Sequence, residues 1–239
     1  MRAQRKPRGK GTRAADGGFG QREHAEAAGG HAEEGGLGLE RIVFFSDAVF
    51  AIAITLLVLE IRLPELTPEA QRTLDSAELT RMLLEPVPRY IGFLVSFVVI
   101  GLYWAAHHRD FRYIKRYDNG LIYINLFLLM FVVFTPFPTA VLGAYVNLQS
   151  AVVFYAIVMI LVGLLHLWLW YYATHNHRLV DERLDPDLIR YRIIRSTITP
   201  LVFLLSIGIS FYSPLWAVNS WLIMIPCLLL VDRYYRGRF

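Results

Sequence analysis

The chain has 239 residues, of which 55% are hydrophobic and 14% aromatic. Only 18% are charged, where a soluble domain carries roughly a quarter. No Asp, Glu, Lys or Arg occurs in the 59 residues 119–177 or in the 36 residues 196–231. This excludes a soluble enzyme, a secreted disulfide scaffold and a disordered regulator, and leaves an all-α polytopic membrane protein.

Residues 1–40 hold 10 of the 17 glycines, seven basic and six acidic residues, and no apolar period. Such a segment buries too little surface to offset its ordering entropy, so it reads as a disordered tail. It does not read as a signal peptide, because no apolar core follows the basic start. The single cysteine, Cys227, forms no internal bridge and no C-x-x-C metal spacing. The net charge of +4 is spread among loops that flank apolar segments. That placement fits a membrane, not a nucleic acid.

A bilayer span needs about 20 apolar residues, and the remainder holds six within residues 41–235: about 41–63, 89–110, 121–142, 151–172, 193–212 and 214–231. The first ends at Pro64. Arg89 and Arg109 bracket the second. The 59-residue run must fold back once, at the small and polar residues 143–150. The 36-residue run breaks at Tyr212-Ser213-Pro214. The fifth span starts near Ile193, with Arg192 and Arg195 snorkelling to the interface. Between the first two spans, Thr67-Pro68-Glu69 marks the start of a short surface helix.

Basic residues set the orientation. Arg109, Arg112, Lys115 and Arg116 join spans two and three; Arg178, Arg183, Arg190, Arg192 and Arg195 join four and five; Arg233, Arg236 and Arg238 form the tail. The 3–4 and 5–6 turns carry none. Both termini are therefore expected in the cytosol.

Catalytic motifs are absent: no phosphate-binding G-x-x-x-x-G-K-[ST], no G-x-S-x-G, no H-E-x-x-H and no dinucleotide fingerprint. No enzyme activity and no cofactor is expected. His175-x-His177 has two possible metal ligands, but a histidine pair in a loop reads first as solvated.

The first span is the informative one. Asp47 lies about 9 Å past Arg41 along a helix axis, and a carboxylate at that depth is costly without a partner. In the second span Trp104, His107, His108 and Phe111 share one helical face at the same membrane end. Two readings stand: an Asp–His contact between the helices, or interfacial belt residues. A second stripe places Leu56 and Leu59 within about 40° of Ile52, with Thr55 on its flank. Such a line ordinarily meets lipid or another helix. Asn125 in the third span reads as a bond across helices, and Pro136 and Pro138 as a kink at its end.

Arg41-x-x-x-Phe45-Ser46-Asp47, continued through Leu59, resembles the signature of the lysosomal potassium channel family, the transmembrane protein 175 type. Trp104, His107, His108 and Phe111, with Asn125, Pro136 and Phe137, resemble its second and third helices. The resemblance covers about residues 40–235, and a single six-helix repeat is similar to the prokaryotic members.

The resemblance implies a potassium-permeable channel without a carbonyl filter. It implies a homotetramer in a prokaryotic plasma membrane, with the first span lining a central pore. Carried over by position, the constriction would be Ile52, Thr55 or Leu56, and Leu59. The polar network would be Arg41, Ser46, Asp47, Trp104 and His107 or His108. Potassium would pass transiently with no fixed metal site. An apolar collar gates by expelling water. The alternative is a proton-conducting channel, or a proton-coupled small-solute transporter, using Asp47 and His107 or His108 as a relay.

Overall fold

The computed structural model describes residues 17–61 and 66–237, with side chains from residue 36 onward except residue 70. Helix α1 (Gly17–Leu56) runs into a 3-10 turn at Leu57–Glu60. Two short helices follow, α2 (Pro68–Thr73) and α3 (Ser76–Leu84), the first starting where the Thr-Pro-Glu pattern placed it. The long helix α4 (Val87–Phe111) comes next. The third span is α5 (Asn119–Phe134) and α6 (Pro136–Ala144), and the fourth is α7 (Gln149–Thr174). The fifth span is α8 (Pro186–Ser210). The sixth is α9 (Pro214–Ser220) and α10 (Met224–Tyr235), joined by a 3-10 turn. Six helices among the described residues are long and apolar enough to cross a membrane, so this is a multi-pass membrane protein.

Three expectations need amendment. Residues 17–40 carry helical backbone continuous with the first span, whereas residues 1–16 lie outside the described residues. Once the membrane turns exist, each further residue costs no new nucleation, and residues 23–34 are rich in the helix formers Ala and Glu. The first helix leaves helical geometry at Ile61 (φ −84°, ψ 91°), ahead of Pro64; residues 62–65 lie outside the described residues. The fifth helix begins at Pro186, not near Ile193, with the Asp185 carboxylate accepting from the Asp187 amide at 2.8 Å.

Apolar residues cover the outside, where water would not tolerate them, and polar bonds tie the inside. Helix α7 is the hub, packed along α8 and against α5 and α6. Its Gly163 lets α8 approach so closely that a Cβ there would stand 3.0 Å from Pro200 Cδ and 2.7 Å from the Tyr103 hydroxyl. Across α4, α6 and α7 the hydroxyls form a directed chain. Thr139 donates to the Thr135 carbonyl at 2.9 Å. Ser96 then donates to Thr139 at 2.8 Å and accepts from Tyr155 at 2.9 Å. The helix of the third span is interrupted at Thr135, because Pro136 has no amide hydrogen to continue α5.

Candidate functional site

Helix α1 has two faces. Ser46, Phe50, Ala53 and Leu57, spaced four, three and four apart, are buried against the bundle. Ile52, Thr55, Leu56 and Leu59 lie on the opposite side, uncovered, with Ile52 55% and Leu59 61% exposed. The 3-10 turn changes their register. At three residues per turn, positions three apart eclipse, so the pitch change brings Leu59 toward the line of Leu56. Thr55 donates its hydroxyl to the Ile52 carbonyl at 2.8 Å, which leaves its oxygen lone pairs and methyl on the open face.

Near the other end of the span, the anticipated polar network separates into two sets. Asp47, half-buried on α1, accepts from Trp104 Nε1 of α4 at 2.8 Å. His108 Nδ1 stands 3.8 Å from its other oxygen, an ion-pair distance and too long for a hydrogen bond. His107 points the other way and is fully buried. Its Nε2 lies 2.8 Å from Asn125 Oδ1 on α5, and Asn125 Nδ2 donates to Ser46 Oγ at 2.9 Å. Ser46 in turn donates to the Ile42 carbonyl at 2.8 Å. Because Asn125 Oδ1 can only accept, the His107 proton sits on Nε2, and its Nδ1 is buried without a partner. Of the two histidines, His108 faces Asp47 and His107 joins Ser46 and Asn125. Arg41 is exposed and joins neither set.

The sequence reading missed a third cluster. Arg192, expected to snorkel, is instead buried and donates through Nη1 to Asp110 Oδ1. The other Asp110 oxygen faces His166 Nε2 of α7 at 3.3 Å. The guanidinium carbon lies 4.8 Å from the centre of the Tyr113 ring and 5.6 Å from that of Trp170. Arg195 pairs with Asp232 of α10 at 2.8 Å. The available signal was His166, a histidine well inside the fourth span, in the charge-free run of 59. The His175 and His177 pair lies in a 3-10 turn, where His177 Nδ1 is 3.0 Å from the Asp181 carbonyl oxygen.

Residues 41–136 match the model of the family described as the endosomal/lysosomal potassium channel TMEM175. A potassium channel of Streptomyces collinus (strain DSM 40733 / Tue 365) is 37% identical over 177 residues, which cover 72% of this chain and 82% of that one. The crystal structure of a lysosomal potassium-selective channel TMEM175 homolog from Chamaesiphon minutus matches with a TM-score of 0.69 at 33% identity, covering 82% of this chain and 98% of that chain. The human endosomal/lysosomal proton channel TMEM175 is 25% identical over 209 residues, which make up 83% of this chain and 39% of that protein. The six spans, the contacts of Asp47 with α4 and of Ser46 with α5, and this degree of identity together place the chain in the TMEM175 family.

Proposed function

We propose that this chain forms a potassium-permeable channel. Four copies enclose a central pore lined by α1, and Ile52, Thr55, Leu56 and Leu59 form the constriction. The carrying observation is the uncovered face of α1, whose reverse is buried in the bundle. Copies related by a closed rotation would bring those faces together. Bulky aliphatic rings narrow the path and expel water, so slight dilation opens it. Selectivity then rests on collar width and the Thr55 oxygens, and potassium binds no fixed site. The Asp47–Trp104–His108 contacts and the His107–Asn125–Ser46 chain hold α1 to α4 and α5 and so set that width. Arg41, exposed on the side of Ile52, would stand at the pore mouth. The placement of basic loops supports cytosolic termini, and the likeness to prokaryotic potassium channels supports a prokaryotic plasma membrane.

The test is ion flux in liposomes loaded with potassium and carrying a proton-sensitive dye. Passive potassium efflux draws protons inward only when a protonophore is added. Ile52→Asn, which widens and wets the collar, should alter the rate or the potassium-to-sodium ratio. Unaltered flux from an assembled I52N channel refutes the constriction.

The human relative, named a proton channel, favours a second reading in which Asp47 and His107 or His108 carry protons. Acidification that requires the potassium ionophore valinomycin, and no protonophore, is its signature.

A further inference from the structure

We propose that the clustered guanidinium groups between α4, α8 and α10 form a binding site for a phosphate-type oxyanion, supplied by an anionic lipid headgroup. A half-open cavity of about 90 Å³ lies there, lined by Arg109, Arg192 and Arg195 with Asp110, Asp232 and Ser196. A smaller cavity shares Arg195 and Ser196 with it and reaches His166. The larger space accommodates one tetrahedral oxyanion.

Charge and hydrogen bonding both leave a place for an anion. Three guanidinium groups meet two carboxylates. Both carboxylates are committed. Asp110 serves Arg192 and faces His166, and Asp232 Oδ1 accepts from Arg195 Nε at 2.8 Å and from the Tyr191 hydroxyl at 2.7 Å. No carboxylate pairs with Arg109 among the described residues. Arg192, only 9% exposed, keeps a buried Nε with no acceptor. A buried donor of this kind is costly to leave unmade, and a charged oxygen is its strongest partner. A phosphate group in the cavity would accept from Arg109 and from the Ser196 hydroxyl, with the positive charge of Arg192 and Arg195 beside it. Planar guanidinium forks suit that geometry better than ammonium groups would. The site lies at the membrane end where basic loop residues gather, the end that the charge rule makes cytosolic and where anionic headgroups concentrate.

The test is thermal unfolding of the purified full chain in neutral detergent. The additives are dioctanoyl phosphatidylglycerol, dioctanoyl phosphatidylcholine and inorganic phosphate, each titrated alone. The glycerol lipid should raise Tm saturably, since a ligand that binds only the folded state stabilises it. Arg109→Gln should abolish the rise and Arg109→Lys weaken it, while Arg112→Gln outside the cavity should retain it. A rise with inorganic phosphate that Arg109→Gln also abolishes upholds the anion site and reassigns its source to solution. Three results overturn the proposal: no rise with either anion, an equal rise with phosphatidylcholine, or an undiminished rise in R109Q.

Discussion

Asn125 offers the sharpest test of how α1 is held. Asn125→Leu keeps the volume roughly constant and removes both side-chain bonds, to His107 at 2.8 Å and to Ser46 at 2.9 Å. Interhelical hydrogen bonds inside membrane proteins average about 0.6 kcal/mol and reach about 1.7. Two of them therefore contribute about 1–3 kcal/mol. His107 is fully buried, so its Nε2 proton is left without an acceptor, which adds about 1–3 kcal/mol. Ser46 loses less, because its own proton still reaches the Ile42 carbonyl. The expected cost is about 2–6 kcal/mol. Equilibrium unfolding by SDS in mixed micelles, followed by tryptophan fluorescence, measures it. The double variant His107→Phe/Asn125→Leu removes donor and acceptor together. A phenyl ring at 107 keeps its place between Phe50 and Phe111, whose ring centres lie 5.5 and 4.4 Å away. The double variant should thus be more stable than the sum of the two single losses by at least about 1 kcal/mol. Strict additivity, or an N125L protein within about 0.5 kcal/mol of the wild type, refutes the hydrogen-bond chain.

Asp118 should make the loop side of the bundle acid-sensitive. Its partial burial raises the carboxyl pKa, but three donors outweigh this: the Leu121 amide, the Tyr172 hydroxyl and Arg178. The folded-state value is therefore below the unfolded one of about 3.9. The stabilisation is present above that value and is lost as pH falls through the lower folded one, so unfolding midpoints should decline below about pH 4, and less so in Asp118→Asn. Gly163→Val should destabilise by about 1–3 kcal/mol in the same SDS assay, because any Cβ there meets Pro200 and Tyr103. Asp47→Asn keeps an acceptor for Trp104 Nε1 and should assemble normally with altered flux. Asp47→Ala loses that acceptor and should lower the yield of assembled protein in size-exclusion chromatography; wild-type yield from D47A counts against the contact.

The sequence by itself determined the number of spans. A bilayer leaves no water for backbone groups, so charge-free runs of the right length must become helices whatever packs beside them. The helix interruption before Pro136 and the helix start at Pro68 were equally local, since each follows from the chemistry of one proline. The pairing of helices one and two was half legible. Spacing put Trp104, His107 and His108 on one face, yet could not say which histidine faced Asp47. That choice depends on the position of α5, whose Asn125 captures His107 and leaves His108 for the carboxylate. Arg192 was misread for the same reason. Near a span end an arginine can reach interface water or fold inward, and only the arrival of Asp110 from α4 and the Tyr113 and Trp170 rings makes the inward path favourable. Local rules fix what each segment must be, because lipid acts on every residue separately. Which buried polar groups meet is a property of three or four helices at once, and no single stretch of chain contains it.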